Sequence, residues 1–353
     1  MTEMKNPNAS AAFTTPVLFL IFNRPENTKK VLAAIGKVKP AKLYIAADGP
    51  REGIKEDVDK CREVREIASA IDWDCDVTKL FRNHNLGCGK GPSSAISWFF
   101  EHETEGIILE DDCLPSLDFF FFCANLLERY RYDTRVMEIG GNNFEKESAR
   151  REYSYYFSNM IYIWGWATWR RAWKLYDYEM KHYNEITDKG YLNNHYDSMF
   201  EREHYNYIFK KMHTGDRQTN RKNVWDYQWQ FICKINSGLI IVPERNLVCN
   251  LGFGADATNT KNPLAAGHDL KLEEMVFPLM HPDLTMVEKG RDRWVFNETC
   301  SSRSVRMKSI IKTFIPRPIF EKVKLLFHKF IHSTAKGKGV GFGPEPRLVE
   351  NQS

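Results

Sequence analysis

Three consecutive carboxylates, Glu110, Asp111 and Asp112, directly follow the short apolar run Gly106 to Leu109, and Pro115 comes soon after. This is the pattern of a buried strand that ends in acid. In open parallel sheets, ligands bind in the crevice beyond the carboxyl ends of the strands, so acids placed there sit where chemistry is expected. Adjacent carboxylates repel one another, and a hard divalent cation with oxygen ligands relieves that repulsion. Strand alternation points Glu110 and Asp112 to one side and Asp111 to the other, so at most two of them should face one metal ion. A solvated acidic turn would carry the same three letters, but the apolar strand before it and the order of the preceding elements favour a site.

Four other groups have chemistry in them. Asp226 lies in Val224-Trp225-Asp226-Tyr227-Gln228-Trp229, a carboxylate between aromatics at an expected helix start. It could cap that helix, and it is also suited to accept a proton from a sugar hydroxyl. Asp48, after an apolar strand, is either a hydrogen-bond acceptor for a nucleobase or ribose or a turn residue in Asp-Gly-Pro. Arg24, after the first strand, can pair with phosphate or with a carboxylate such as Asp48. Gly87-Cys88-Gly89-Lys90-Gly91 lacks the residues of a Walker A loop. Its glycines could still bring backbone N–H groups to a diphosphate, with Lys90 as a point charge, or form an ordinary turn. The tryptophans 164, 166, 169 and 173 are core candidates. Gly165 between two of them implies a bend that presents at least one indole to a ligand.

Behind these residues lies a regular frame. Pro16 to Phe22, Lys42 to Ala47, Asp76 to Phe81 and Gly106 to Leu109 are apolar runs of strand length. They start roughly thirty residues apart, the size of a βαβ unit. Helices are expected over 26–35, 55–71 (burying Val58, Val64, Ile67 and Ile71) and 92–103, with Pro92 at its first position. No Gly-x-Gly-x-x-Gly follows the first strand, which disfavours a nicotinamide or flavin cofactor. Ser116 caps a further, nearly all-apolar helix to Tyr130, and strands are expected at 136–139 and 239–242. Helical stretches are expected at 197–212 and 226–236, and a loop at 252–268. The fold class is α/β, a mostly parallel sheet flanked by helices, with a less regular, aromatic second half.

Composition narrows the function. The 353 residues carry a net charge of +4, too modest for a nucleic-acid binder, and 13% aromatics with 9 Trp suit a pocket that stacks on sugar-like faces. The 8 cysteines show no Cys-x-x-Cys pair, which argues for reduced thiols in the cytoplasm and against a zinc site. Met1 to Thr15 lacks the apolar core of a signal peptide, and no stretch is long enough to span a membrane.

The ordered segments Asn-Arg-Pro (23–25), Ala-Asp-Gly (47–49), Asn-Leu-Gly-Cys-Gly-Lys-Gly (85–91), Leu-Glu-Asp-Asp (109–112), Trp-Gly-Trp-Ala-Thr-Trp-Arg (164–170), Trp-Asp-x-x-Trp (225–229) and Gly-Phe-Gly-x-Asp-Ala-Thr (252–258) give the chain a family likeness. It resembles bacterial nucleotide-diphospho-sugar glycosyltransferases of the GT-A fold, related to N-acetylglucosaminyltransferase I, over roughly residues 16 to 260. The resemblance implies transfer of a sugar from a nucleotide sugar, a UDP-sugar, to a hydroxyl of a glycan or lipid-linked glycan, with inversion expected and retention still open. It implies Asp112 holding Mn²⁺ or Mg²⁺ on the diphosphate, with Glu110 and Asp111 beside it. It further implies Asp48, Arg24 and Lys90 on the nucleotide, Asp226 as general base, and Trp164, Trp166, Trp169 and Trp225 around sugar or acceptor. The motif is Glu-Asp-Asp and not Asp-x-Asp, so a single direct protein ligand to the metal is expected, and His268 is the nearest candidate for a completing histidine.

The organisation expected is a leader at 1–15, a catalytic domain at 16–300 (nucleotide-sugar half 16–140, acceptor half 141–300), a basic helical extension at 301–336 and a disordered tail at 337–353. Residues 303 to 338 hold 10 Lys or Arg against one acid, Glu321, with Ile319, Phe320, Val323, Leu326, Phe327, Phe330 and Ile331 at helical spacing. Such a helix suits an anionic membrane surface, placing the protein at the inner face of the cell membrane, or packs on its own domain. The rival functions are a sugar nucleotidyltransferase, disfavoured because Phe22-Asn23-Arg24-Pro25-Glu26 is not a glycine-rich basic loop, and an inactive carbohydrate-binding protein built on the tryptophans.

Overall fold

The computed structural model describes residues 13–145, 152–215, 224–252 and 270–300. The chain divides into two units, Met1–Cys300 and Ser301–Ser353. His268 and the whole basic extension, 303–338 included, lie outside the described residues. Among the described residues no helix is long and apolar enough to cross a membrane.

Strands and helices alternate at first: β1 (Val17–Ile21), α1 (Pro25–Val38), β2 (Lys42–Ala47), α2 (Lys55–Ser69), β3 (Asp76–Phe81), α3 (Gly87–His102) and β4 (Glu105–Glu110). Then come β5 (Cys113–Pro115), α4 (Leu117–Tyr130), β6 (Val136–Gly140), β7 (Tyr155–Ser158), β8 (Trp166–Trp169), α5 (Arg170–Trp173) and α6 (Tyr183–Asp188). The last elements are α7 (Met199–Thr214), α8 (Asp226–Ile235), β9 (Leu239–Pro243), β10 (Val248–Asn250) and α9 (Lys289–Thr299). One sheet runs β3-β2-β1-β4-β8-β6-β9-β7. Its β3-β2-β1-β4 half is parallel, β8 and β7 run antiparallel to their neighbours, and β6 and β9 are again parallel. The α/β class expected from the apolar runs is the one observed, and both halves of residues 16–300 contribute to the same sheet.

Alternation along β1 shows why both faces are covered. Val17, Phe19 and Ile21 join a core with α1, α2 and α4, while Leu18 and Leu20 join a second core with α3, α5, α7 and α8. Burying each of Phe119, Phe120 and Phe122 on α4 contributes on the order of 1.5–3 kcal/mol. Ser116 caps that helix, its hydroxyl accepting the Phe119 N–H at 3.3 Å. On α2 Val64 is buried as expected, but the face is rotated away from Val58, which is 53% exposed; the buried residues are Asp57, Cys61, Val64 and Ala68. The buried Asp57 carboxylate explains the rotation, because it accepts hydrogen bonds from Asn23 (2.8 Å) and Arg51 (2.6 Å), and the Arg51 bond holds its pKa down at about 2.

One buried carboxylate fixes α8 to the sheet. Glu138 on β6 is fully buried and accepts the Tyr162 backbone N–H at 2.6 Å and the Trp229 indole N–H at 2.7 Å. Burial raises its pKa from 4.5 to about 7. Between those values the native protein holds a proton that the unfolded chain has released, so stability falls as pH rises through that window, by about 3 kcal/mol. Denaturant unfolding at pH 5 and pH 7.5 should show wild type losing more stability over the interval than Glu138→Gln, by roughly this amount. Equal losses would remove Glu138 from the pH dependence.

Candidate active site

β4 ends at Glu110, and its neighbour β1 ends beside it, with Leu20 opposite Glu110 in the ladder. The chain turns at Asp111 and Asp112 before entering β5, so strand alternation stops there. That overturns the expected opposite orientation of the two aspartates. Both reach the same nitrogen: Arg24 Nη1 donates to Asp111 Oδ1 at 3.0 Å and to Asp112 Oδ2 at 2.7 Å. Asp111 Oδ2 also accepts the Phe22 backbone N–H at 3.0 Å. Although burial works against its charge, Arg24 is held protonated by the two aspartates. Burial, reinforced by Asp112 and then Asp111, raises the pKa of Glu110; burial also raises that of Asp111 against the pull of Arg24. Among the described residues no three His, Cys, Asp or Glu side chains are grouped to hold a metal ion.

The second half of the chain enters through α8. Trp225, the residue before that helix, has its side chain near enough to Glu110 to pull that carboxyl's pKa down a little against the effect of burial. Asp226 follows Trp225 as the first residue of the helix and not its cap. Its carboxylate accepts the Tyr227 N–H at 2.9 Å, and burial raises its pKa. Tyr176 donates its hydroxyl to the Trp225 carbonyl at 3.1 Å and feels the Asp226 charge. The four expected pocket tryptophans separate. Trp225 lies near Glu110, and Trp164 is half-buried beside Phe144, with ring centres 5.2 Å apart. Gly165 after it has φ +66°, and a Cβ there would come within 3.1 Å of Leu109, so the expected bend is real and puts Trp164 near the strand end. Trp166 is core, stacked on Trp225 with centres 5.5 Å apart. Trp169 sits opposite Glu105 at the other end of β4, its indole N–H on the Leu127 carbonyl, so it does not join the site.

Asp48 and the glycine-rich turn bind each other. The Asp48 carboxylate accepts the N–H groups of Gly49 (3.0 Å), Leu86 (3.0 Å) and Gly87 (3.1 Å). It therefore takes one of the glycine donors expected for a diphosphate, that of Gly87, and an anion at a helix N-terminus is favourable. This anchor also starts α3 at Gly87, five residues earlier than expected, leaving Pro92 inside the helix. Lys90 is exposed, its ammonium 5.8 Å from the centre of the Tyr178 ring.

Two residues beside the acids carried no sequence signal of their own. Cys88, in the first turn of α3, lies within electrostatic reach of Glu110, Arg24 and Asp112, and burial raises its pKa. Asn250 pairs with Cys113 in the small β10–β5 sheet, and the Leu251 N–H then bonds the Asp112 carbonyl at 2.7 Å. A Cβ on Gly252 would stand 2.5 Å from Asp112 Oδ2 and 2.9 Å from Asn250 Oδ1, so only glycine fits against the carboxylate oxygen that Arg24 bonds.

No protein-family profile matches the chain, and no curated protein matches it. Similar solved structures include a 4-diphosphocytidyl-2C-methyl-D-erythritol synthase from Anaerococcus prevotii (9% identity, 56% of this chain and 84% of that one, TM-score 0.30). Others are HddC from Yersinia pseudotuberculosis (10%, 45% and 78%, TM-score 0.28) and a UDP-glucose pyrophosphorylase bound to UDP-glucose (10%, 46% and 70%, TM-score 0.24). At these TM-scores the likeness says nothing of what this chain binds, and the site stands on its own geometry.

Asp48→Ala would leave the Leu86 and Gly87 N–H groups without their acceptor. Losing this charged anchor is expected to cost about 1–3 kcal/mol in ligand-free protein, read as a lower melting temperature. An unchanged melting temperature would return Asp48 to a purely ligand-binding role.

Proposed function

We propose that this chain transfers a sugar from a nucleotide sugar, a UDP-sugar by the resemblance of its motifs, to a hydroxyl of a glycan or lipid-linked glycan. The observation that carries the proposal is the cluster of Glu110, Asp111, Asp112 and Arg24 at the end of β4, with Trp225 near Glu110 and the half-buried Asp226 next to it in the chain. One side of the site can then hold a diphosphate while the other removes a proton. A carboxylate whose pKa is raised by burial is a better base than an ordinary aspartate.

A divalent cation suits the carboxylates: three of them stand against one guanidinium, and Gly252 keeps a side chain off Asp112 Oδ2, the oxygen that accepts from Arg24. Asp112 would hold Mn²⁺ or Mg²⁺, which when bound supplies positive charge for a departing diphosphate. The protein's own part is as follows. Asp226 takes the proton of the acceptor hydroxyl; that oxygen bonds to the anomeric carbon as the bond from carbon to diphosphate breaks, and the electron pair leaves with the nucleoside diphosphate. Arg24 offers a fork of N–H donors matched to phosphate oxygens. Trp164, half-buried at the strand end, offers a flat face for a sugar.

The test is transfer from radiolabelled UDP-sugars to glycan acceptors, run beside pyrophosphate release from UTP and sugar 1-phosphates. Asp226→Asn should lower transfer at least ~100-fold and leave UDP binding unchanged. Wild-type transfer should fall with decreasing pH at a value above the ordinary aspartate range. Full turnover by Asp226→Asn, or pyrophosphate release in place of transfer, would overturn the proposal.

A further inference from the structure

We propose that Arg24 is the resident cation of this site, and that it and a divalent metal ion exclude one another on Asp111 and Asp112 until an anionic diphosphate draws the guanidinium away. The inference rests on the reading that these acids take Mn²⁺ or Mg²⁺. A single nitrogen, Nη1, spans one oxygen of each aspartate at 3.0 and 2.7 Å, the place from which a small cation would touch both carboxylates. The backbone of Arg24 is fixed, because its carbonyl accepts both the N–H (2.9 Å) and the hydroxyl (2.8 Å) of Thr28 in the first turn of α1. The side chain is 23% exposed. With the backbone held, displacement of the guanidinium is a side-chain movement.

Charge decides the order of events. A divalent ion placed on Asp112 with Arg24 still in contact would face a full positive charge at close range, in surroundings that screen poorly. A phosphate group is a partner of comparable strength for the guanidinium, which it meets through two parallel N–H bonds. An incoming diphosphate therefore does two things together: it gives Arg24 a new anion and uncovers the aspartate oxygens. Metal and diphosphate should each raise the other's affinity, and the metal alone should bind weakly. Arg24 then acts as a positioning residue that keeps the three acids together while no substrate is present.

The experiment measures Mn²⁺ binding to the full chain by electron paramagnetic resonance of the free ion, with no nucleotide or sugar. Arg24→Gln should bind Mn²⁺ at least ~10-fold more tightly than wild type, while Arg24→Lys, which keeps the charge, should stay as weak as wild type. Equal affinity of Arg24→Gln and wild type overturns the inference. If Arg24→Gln does not fold in metal-free buffer, its melting is followed against Mn²⁺ and against NaCl of matched ionic strength. Recovery by Mn²⁺ alone supports the exclusion, and no recovery overturns it. Because no substrate is present, loss of the transferase reading leaves these results interpretable. Failure of every form to bind Mn²⁺, even with UDP added, would instead strike the metal reading itself and remove this inference with it.

Discussion

Three carboxylates in consecutive positions at the end of a buried strand would drive one another apart unless positive charge met them. Here it comes from the neighbouring strand: Arg24, just past β1, bonds Asp111 and Asp112 through one nitrogen, and the Phe22 N–H adds a donor to Asp111. The parallel β1–β4 pairing makes this possible, because it brings both strand ends to the same edge in register. The third acid, Glu110, has Trp225 nearby. Among the described residues the acids are thus met by Arg24 from the end of β1 and approached by Trp225 from the start of α8.

That division explains much of the surrounding architecture. Trp225 can reach Glu110 only if α8 is fixed against the sheet, and Glu138 fixes it by binding Trp229 one turn further along. Trp166 lies under Trp225 and fills the space between helix and sheet. The aromatic stretch after Trp164 therefore acts mainly as packing that sets the position of Asp226. A change in Glu138 or Trp166 should be felt at the site although neither residue can touch a ligand.

The strands and the acids were legible in the sequence because each depends on local information. A fully apolar run such as Val17–Ile21 can be little other than an interior strand, and acids that follow one fall at the sheet edge. What was not legible depended on partners far along the chain. Asp48 reads as an acceptor, but nothing in Asp-Gly-Pro reveals that Leu86 and Gly87 will supply the donors. Pro92 looked like a helix start because the cap that begins α3 five residues earlier comes from β2. Val58 belongs to the apolar pattern of α2, yet the helix turns to bury Asp57, whose partners Asn23 and Arg51 lie outside the helix. Trp169 shares a motif with Trp164, and strand direction puts the two at opposite ends of β4.

The central claim is that the edge formed by Asp112, Glu110 and Arg24 receives a nucleoside diphosphate together with a divalent ion. Isothermal titration of UDP into the protein with and without Mn²⁺ tests it most directly, with Asp112→Asn as the control. The account predicts that UDP binds wild type far more tightly with Mn²⁺ present and that Asp112→Asn loses this gain. Absence of UDP binding under both conditions, or an unchanged Mn²⁺ dependence in Asp112→Asn, would contradict it.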